Sequence, residues 1–141
     1  MSPQRQNILV AIADPTERSR VVALLAHEGF AATAVPEGLA AVRAAGVTRY
    51  ALLIVAAQLP GLLDGAVTVR HARLRHTAAK ALLIASNPAE RRRCRITDAD
   101  EIIAAPYQPH ELIGCVYELL HRRGNAAADF ARRARTDRRV S

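Results

Sequence analysis

The chain reads as a single α/β domain in which a parallel sheet is wound with helices on both faces. Three observations predict this. Residues 51–56 form a short, continuous apolar run that includes β-branched Ile54 and Val55 and is closed by the Pro60-Gly61 turn. That is the pattern of a strand buried on both faces, as in parallel sheets covered by helices. Four more strand-like runs alternate with five helix-like segments, so each crossover is expected to be right-handed. Finally, 50% of the residues are hydrophobic but only 4% are aromatic, which leaves Ala, Leu, Val and Ile to build the core. With 141 residues there is room for one such domain and not for two ordinary ones.

Residues 7–12 give the first buried strand. Asp14, Pro15 and Glu17 then start a helix: an N-cap acceptor, a proline at the first helical position and a carboxylate at the positive dipole end. Val21, Val22, Leu24 and Leu25 form its apolar stripe, and Gly29 ends it. Residues 31–35 are a weak second strand. A short helix through Leu39, Ala41 and Val42 follows and stops at Gly46. After the central strand, a loop through Asp64-Gly65 leads into a third helix over 66–76. Residues 80–85 are the fourth strand, followed by the turn and cap signal Ser86-Asn87-Pro88. A brief, very basic helix spans 89–95, and 101–104 is the fifth strand. From Pro109 the last helix repeats Leu112, Ile113, Val116, Leu119 and Leu120 at helical spacing.

Composition narrows the function classes. No apolar run approaches the roughly 20 residues that span a bilayer, and the N-terminus lacks a signal-peptide pattern, so a cytoplasmic protein is expected. Cys94 and Cys115, with 20 residues between them, match no metal spacing and read as packing thiols. The formal charge is +7, but seven arginines against two aspartates from Arg122 onward place +5 of it at the C-terminal end. The expected organisation is a folded body over 1–123 and a basic tail over 124–141.

Ile8-Leu9-Val10-Ala11-Ile12-Ala13-Asp14-Pro15 stands first. Leu53-Ile54-Val55-Ala56-Ala57-Gln58-Leu59-Pro60-Gly61 follows, with Asp64-Gly65 beyond it. Asp98-Ala99-Asp100-Glu101-Ile102-Ile103-Ala104-Ala105-Pro106-Tyr107 comes last, with Glu111-Leu112. In that order and spacing, over about residues 7 to 123, they resemble the receiver domain of bacterial two-component response regulators. The resemblance implies the flavodoxin-like strand order 2-1-3-4-5. It also implies a phosphorylation pocket, whose positions fall on apolar residues here. The two metal-binding carboxylates fall on Ile12 and Ala13, with only neighbouring Asp14 acidic. The phosphoacceptor aspartate falls on Ala56 and the lysine on Ala105. The hydroxyl residue falls on Ala85, or on Ser86 with a slip of one, and the aromatic switch falls on Ile102. The expectation is a degenerate pseudo-receiver that binds no magnesium and needs no cofactor.

Bland roles stand beside these. Asp14 reads as a helix cap before a remnant ligand, and Ser86 as a turn residue before a modified one. The dispersed histidines form no ligand set. Arg91, Arg92 and Arg95, with Glu101, Ile102 and Tyr107, are either a solvated face or the output surface that the resemblance implies. Asp98, Asp100 and Glu101 would form an adjacent acidic patch that a twofold contact could match to the arginines. An apolar side chain at position 102 is expected to stay buried.

Three functions compete. The leading one is a stand-alone, non-enzymatic pseudo-receiver acting by protein contact, with a histidine kinase, another regulator or a second copy as partner. A small nucleotide-binding or hydrolytic enzyme fares badly, because no Gly-rich phosphate loop or nucleophile elbow follows any strand. The third is a nucleic-acid-binding accessory using the Arg-rich tail. With only Phe130 interleaved, such binding would be salt-sensitive and nonspecific.

Overall fold

The computed structural model describes residues 6–75, 78–94 and 98–121. Its elements are β1 (Asn7–Ala11), α1 (Pro15–His27), β2 (Ala31–Val35), α2 (Gly38–Val47), β3 (Leu52–Ala56), α3 (Gly65–Arg75), β4 (Lys80–Ala85), α4 (Pro88–Arg93), β5 (Glu101–Ala104) and α5 (Pro109–His121). The five strands are parallel and lie in the order β2-β1-β3-β4-β5. The expected sheet is therefore the observed one, with β3 at its centre. The expected basic tail lies outside the described residues, as do His76 and Arg95.

Strand geometry sends successive side chains to opposite faces, and both faces are covered. Ile8, Val10, Leu52, Ile54, Leu82 and Ile84 pack with Val21 and Leu25 of α1 and with Leu112, Val116 and Leu119 of α5. On the other face Leu9, Ala11, Leu53, Val55, Ala81 and Leu83 meet Ala41 and Ala45 of α2 and Val69 and Ala72 of α3. The second face is lined by smaller side chains, so α2 and α3 approach closely. A Cβ on Gly38 would overlap the Thr68 hydroxyl, and one on Gly65 would overlap the Ala56 carbonyl.

Local chemistry sets the element ends. The Asp14 side chain accepts the Glu17 N–H at 3.1 Å and starts α1. Gly29, at φ 91°, turns the chain out of it. Asn87 caps α4 by accepting the Glu90 N–H at 2.8 Å. Glu111 reaches back to the Gln108 N–H at 3.2 Å, one half of a capping box for α5. The boundaries differ slightly from expectation. β1 stops at Ala11, α3 begins at Gly65, and α4 begins at Pro88 and ends at Arg93. Pro88 enters the helix because the first helical position needs no N–H donor.

Two glycine substitutions of identical chemistry should act with opposite sign. Gly65→Ala forces backbone apart and is expected to cost about 1–3 kcal/mol. Gly114→Ala, where nothing lies within 4 Å of the added Cβ, should stabilise α5 by about 0.5–1 kcal/mol. Urea unfolding of both variants reads the difference.

Candidate functional site

The carboxyl ends of parallel strands are where an open α/β sheet leaves room for chemistry. Here β1, β3, β4 and β5 end around one cleft of about 240 Å³. All seven pocket positions singled out in the sequence, Ile12, Ala13, Asp14, Ala56, Ala85, Ser86 and Ala105, line it together. Glu17, Gln58 and Ile84 complete the lining, and sequence reasoning assigned none of the three to it. The register that brings them together pairs Ala56 with Ile84 and Ala85 with Ala104. The Ala105 N–H donates to the Ala85 carbonyl at 2.8 Å, and the Ala105–Pro106 bond is cis.

The polar groups at the rim are engaged with the protein's own donors and acceptors. One Asp14 carboxylate oxygen caps α1, in line with its bland reading. Arg18 curls back so that its Nη1 donates to the carbonyls of Ile12 at 2.9 Å and Ala13 at 3.1 Å. The Tyr107 hydroxyl donates to Glu17 Oε1 at 3.0 Å, tying the segment after β5 to α1. Burial, with the Glu17 charge beside it, pushes the Tyr107 phenol far above its ordinary range. Gln58 Nε2 and the Ser86 N–H each donate to Glu90 of α4 at 2.6 Å.

A magnesium ion needs several oxygen ligands in near-octahedral array. Ile12, Ala13 and Ala56 offer methyl and methylene groups, and the Ile12 and Ala13 carbonyls already accept from a guanidinium. This donor set does not fit the ion. Among the described residues no group of three or more His, Cys, Asp or Glu side chains is placed to hold a metal.

A second concavity, about 510 Å³, runs between α4 and β5. Arg91 and Arg92 form one wall, and Glu101 and Ile102 the other. Tyr107 lies apart from it, packed with the α1 and α5 face of the core, and Arg95 is outside the described residues. One expectation needs correction here. Ile102 is only half-buried, because it packs on the Leu83 face of the sheet at the edge strand. Two of the three acids beyond α4 also make contacts within the chain. Asp98 pairs with Arg70 at 3.4 Å, and Asp100 pairs with Arg73 at 3.3 Å while accepting the Ala81 N–H at 2.8 Å. α3 supplies those arginines, and no local pattern signals the pairing.

Cys94 and Cys115 are half-buried, and burial followed by neighbouring carboxylates pushes both thiols up, as suits unreactive packing residues. No helix among the described residues is long and apolar enough to cross a membrane.

No protein-family model and no curated protein matches the chain, but solved structures do. It is similar to the receiver domain of a sensor histidine kinase from Pseudomonas aeruginosa PAO1, solved with magnesium in its active-site cleft. The identity is 25% and the TM-score 0.76, over 83% of this chain and 98% of that one. The signal receiver domain of a histidine kinase from Syntrophus aciditrophicus is similar at 26% identity and TM-score 0.73, over 85% and 95% of the two chains. A putative response regulator from Chloroflexus aurantiacus shares the fold at 20% identity and TM-score 0.77, over 84% and 100%.

The geometry at Asp14 makes a simple prediction. Asp14→Ala should cost about 1 kcal/mol by loss of the cap, and Asp14→Asn only a few tenths. Equal losses in urea unfolding would mean that the negative charge, rather than capping, is what the position supplies.

Proposed function

Taking the receiver-domain fold of two-component signalling as premise, we propose that this chain is a pseudo-receiver. It regulates by contact with a protein partner and accepts no phosphoryl group. The observation that carries the reading is the lining of the cleft. Ile12, Ala13, Ala56, Ala85 and Ala105 present carbon at the positions where the resemblance implies metal ligands, phosphoacceptor, hydroxyl and lysine. Carboxylates brought that close repel one another and need a cation to offset them. Replacing the set as a whole removes the charge along with the chemistry, which one stray substitution would not. A ligand shifts a two-state balance only through contacts that differ between the states, and methyl groups give a phosphoryl group none.

The partner surface in this reading is the groove between α4 and β5. Arg91 and Arg92 are exposed along it and half-buried Ile102 forms part of its opposite wall. Arg91 and Arg92 of α4 face Glu101 and the α3-bound Asp100 across the groove, so in this reading the arginine wall takes acidic groups of the partner and Ile102 gives an apolar contact beside them. A histidine kinase, another regulator or a second copy are the partner classes the family resemblance implies. No active site for an enzyme is part of this reading.

Titration with magnesium and beryllofluoride tests the closed pocket. Amide resonances of Ala13, Ala56, Ser86 and Ala105 should stay unmoved. The combined Ile12→Asp, Ala13→Asp, Ala56→Asp, Ala85→Thr and Ala105→Lys variant should gain saturable shifts. Saturable shifts in the unaltered chain would overturn the reading. For the surface, Arg91→Glu with Arg92→Glu should weaken partner binding by roughly 10-fold or more, while removal of residues 124–141 leaves it intact. Binding that resists the charge reversals and disappears with the tail favours the nucleic-acid reading instead.

A further inference from the structure

Glu90 is a carboxylate with only 7% of its surface exposed, and neither the cleft nor the groove accounts for it. Buried carboxylates are costly unless hydrogen bonds replace the lost water, so its partners define its role. It stands three residues after the Asn87 cap, where a capping-box acid would reach back to the cap's own N–H. Instead it reaches one residue further. One carboxylate oxygen accepts the Ser86 N–H at 2.6 Å and the other accepts Gln58 Nε2 at 2.6 Å. The Ser86 hydroxyl adds a further bond. Ser86 follows the end of β4 and Gln58 lies just past the end of β3. A single α4 side chain therefore grips two strand ends, across 32 residues of sequence in the case of Gln58.

We propose that Glu90 is a positioning residue that latches α4 to the ends of β3 and β4. It fixes residues 86–94, and with them the Arg91 and Arg92 wall of the groove, in one arrangement through Ser86 and Gln58 at the edge of the alanine-lined cleft. In a receiver fold without a phosphorylation input, this gives the output helix an internal anchor. The latch itself does not rest on the pseudo-receiver reading; only its consequence for partner binding does.

The surroundings are consistent with a charged latch. Arg93 on the same helix, Asp64 before α3 and Cys94 line the recess beside Glu90. Burial raises its proton affinity, but the bonds from Ser86 and Gln58, with the charge of Arg93, outweigh it and hold the carboxyl below its ordinary range. A depressed folded-state value means that the latch is at full strength above the ordinary carboxylate range. It is lost only as pH falls through the depressed value, so it stays closed at neutral pH.

Amide exchange and pH titration by NMR on the full chain test the latch without any partner. In Glu90→Leu the amides of Ser86, Arg91 and Cys94 should exchange roughly 10-fold faster, with Leu53 and Leu83 unchanged. Gln58→Glu keeps size and fold and sets carboxylate against carboxylate. It should open the same segment at neutral pH and let it close on mild acidification, and it decides the matter if Glu90→Leu does not fold. In the unaltered chain the Gln58 side-chain amide and the Ser86 N–H should titrate together with Glu90 at one midpoint below the ordinary carboxylate value. Protection within twofold of the unaltered chain in both variants overturns the latch, as does a Ser86 resonance blind to Glu90. An opened segment with undiminished partner binding leaves the latch standing and removes the groove as the contact face.

Discussion

A strand buried on both faces has no free side until it ends, and this constraint orders the rest of the molecule. From Leu52 to Val55, β3 alternates between the α1 and α5 layer and the α2 and α3 layer, and every residue is apolar. Burying side chains of that size contributes roughly 1.5–3 kcal/mol each, which leaves no tolerance for a polar group inside the strand. The first position with open space beside it is Ala56, half-buried at the rim of the cleft. Whatever this protein does with the carboxyl end of its sheet, it does from Ala56 outward. The close seat of Gly65 against the Ala56 carbonyl then fixes how α3 leaves that end.

Around the cleft the acidic side chains serve as acceptors for the protein's own donors. Asp14 holds a backbone N–H of α1, Glu17 holds the Tyr107 hydroxyl, and Glu90 holds Gln58 and Ser86. On the flank, Asp100 holds Ala81 and Arg73. Each bond joins elements distant in sequence, with the exception of the two local contacts at Asp14 and Ser86. Charge-assisted bonds of this kind are short and directional, so they fix the loops at the sheet's carboxyl edge more firmly than apolar contact would. The exposed Arg70–Asp98 pair, open to water on both sides, contributes little by comparison.

These commitments also shape the outer surface. With Asp100 drawn toward α3, the groove carries Arg91 and Arg92 on one wall and Glu101 on the other. By securing the loop before β5, α3 sets where Asp100 stands in the groove.

The sequence by itself determined the element order, the two-layer core and the seven cleft positions. The first two follow from local pattern, through apolar runs, helical spacing and caps at Asp14 and Asn87, and the cleft positions from the resemblance that the order of landmarks around Ala56 carries. Local patterns survive folding because the backbone satisfies them within a few residues. Tertiary structure alone decided the partners of the polar side chains. Nothing near Tyr107 foretells Glu17, 90 residues away, and nothing near Gln58 foretells Glu90. An acid three residues after an asparagine cap does announce a capping role for Glu90, but not its reach to a second strand. A carboxylate takes whichever donor arrives within about 3 Å, and only the packing of helices on the sheet determines which donor that is.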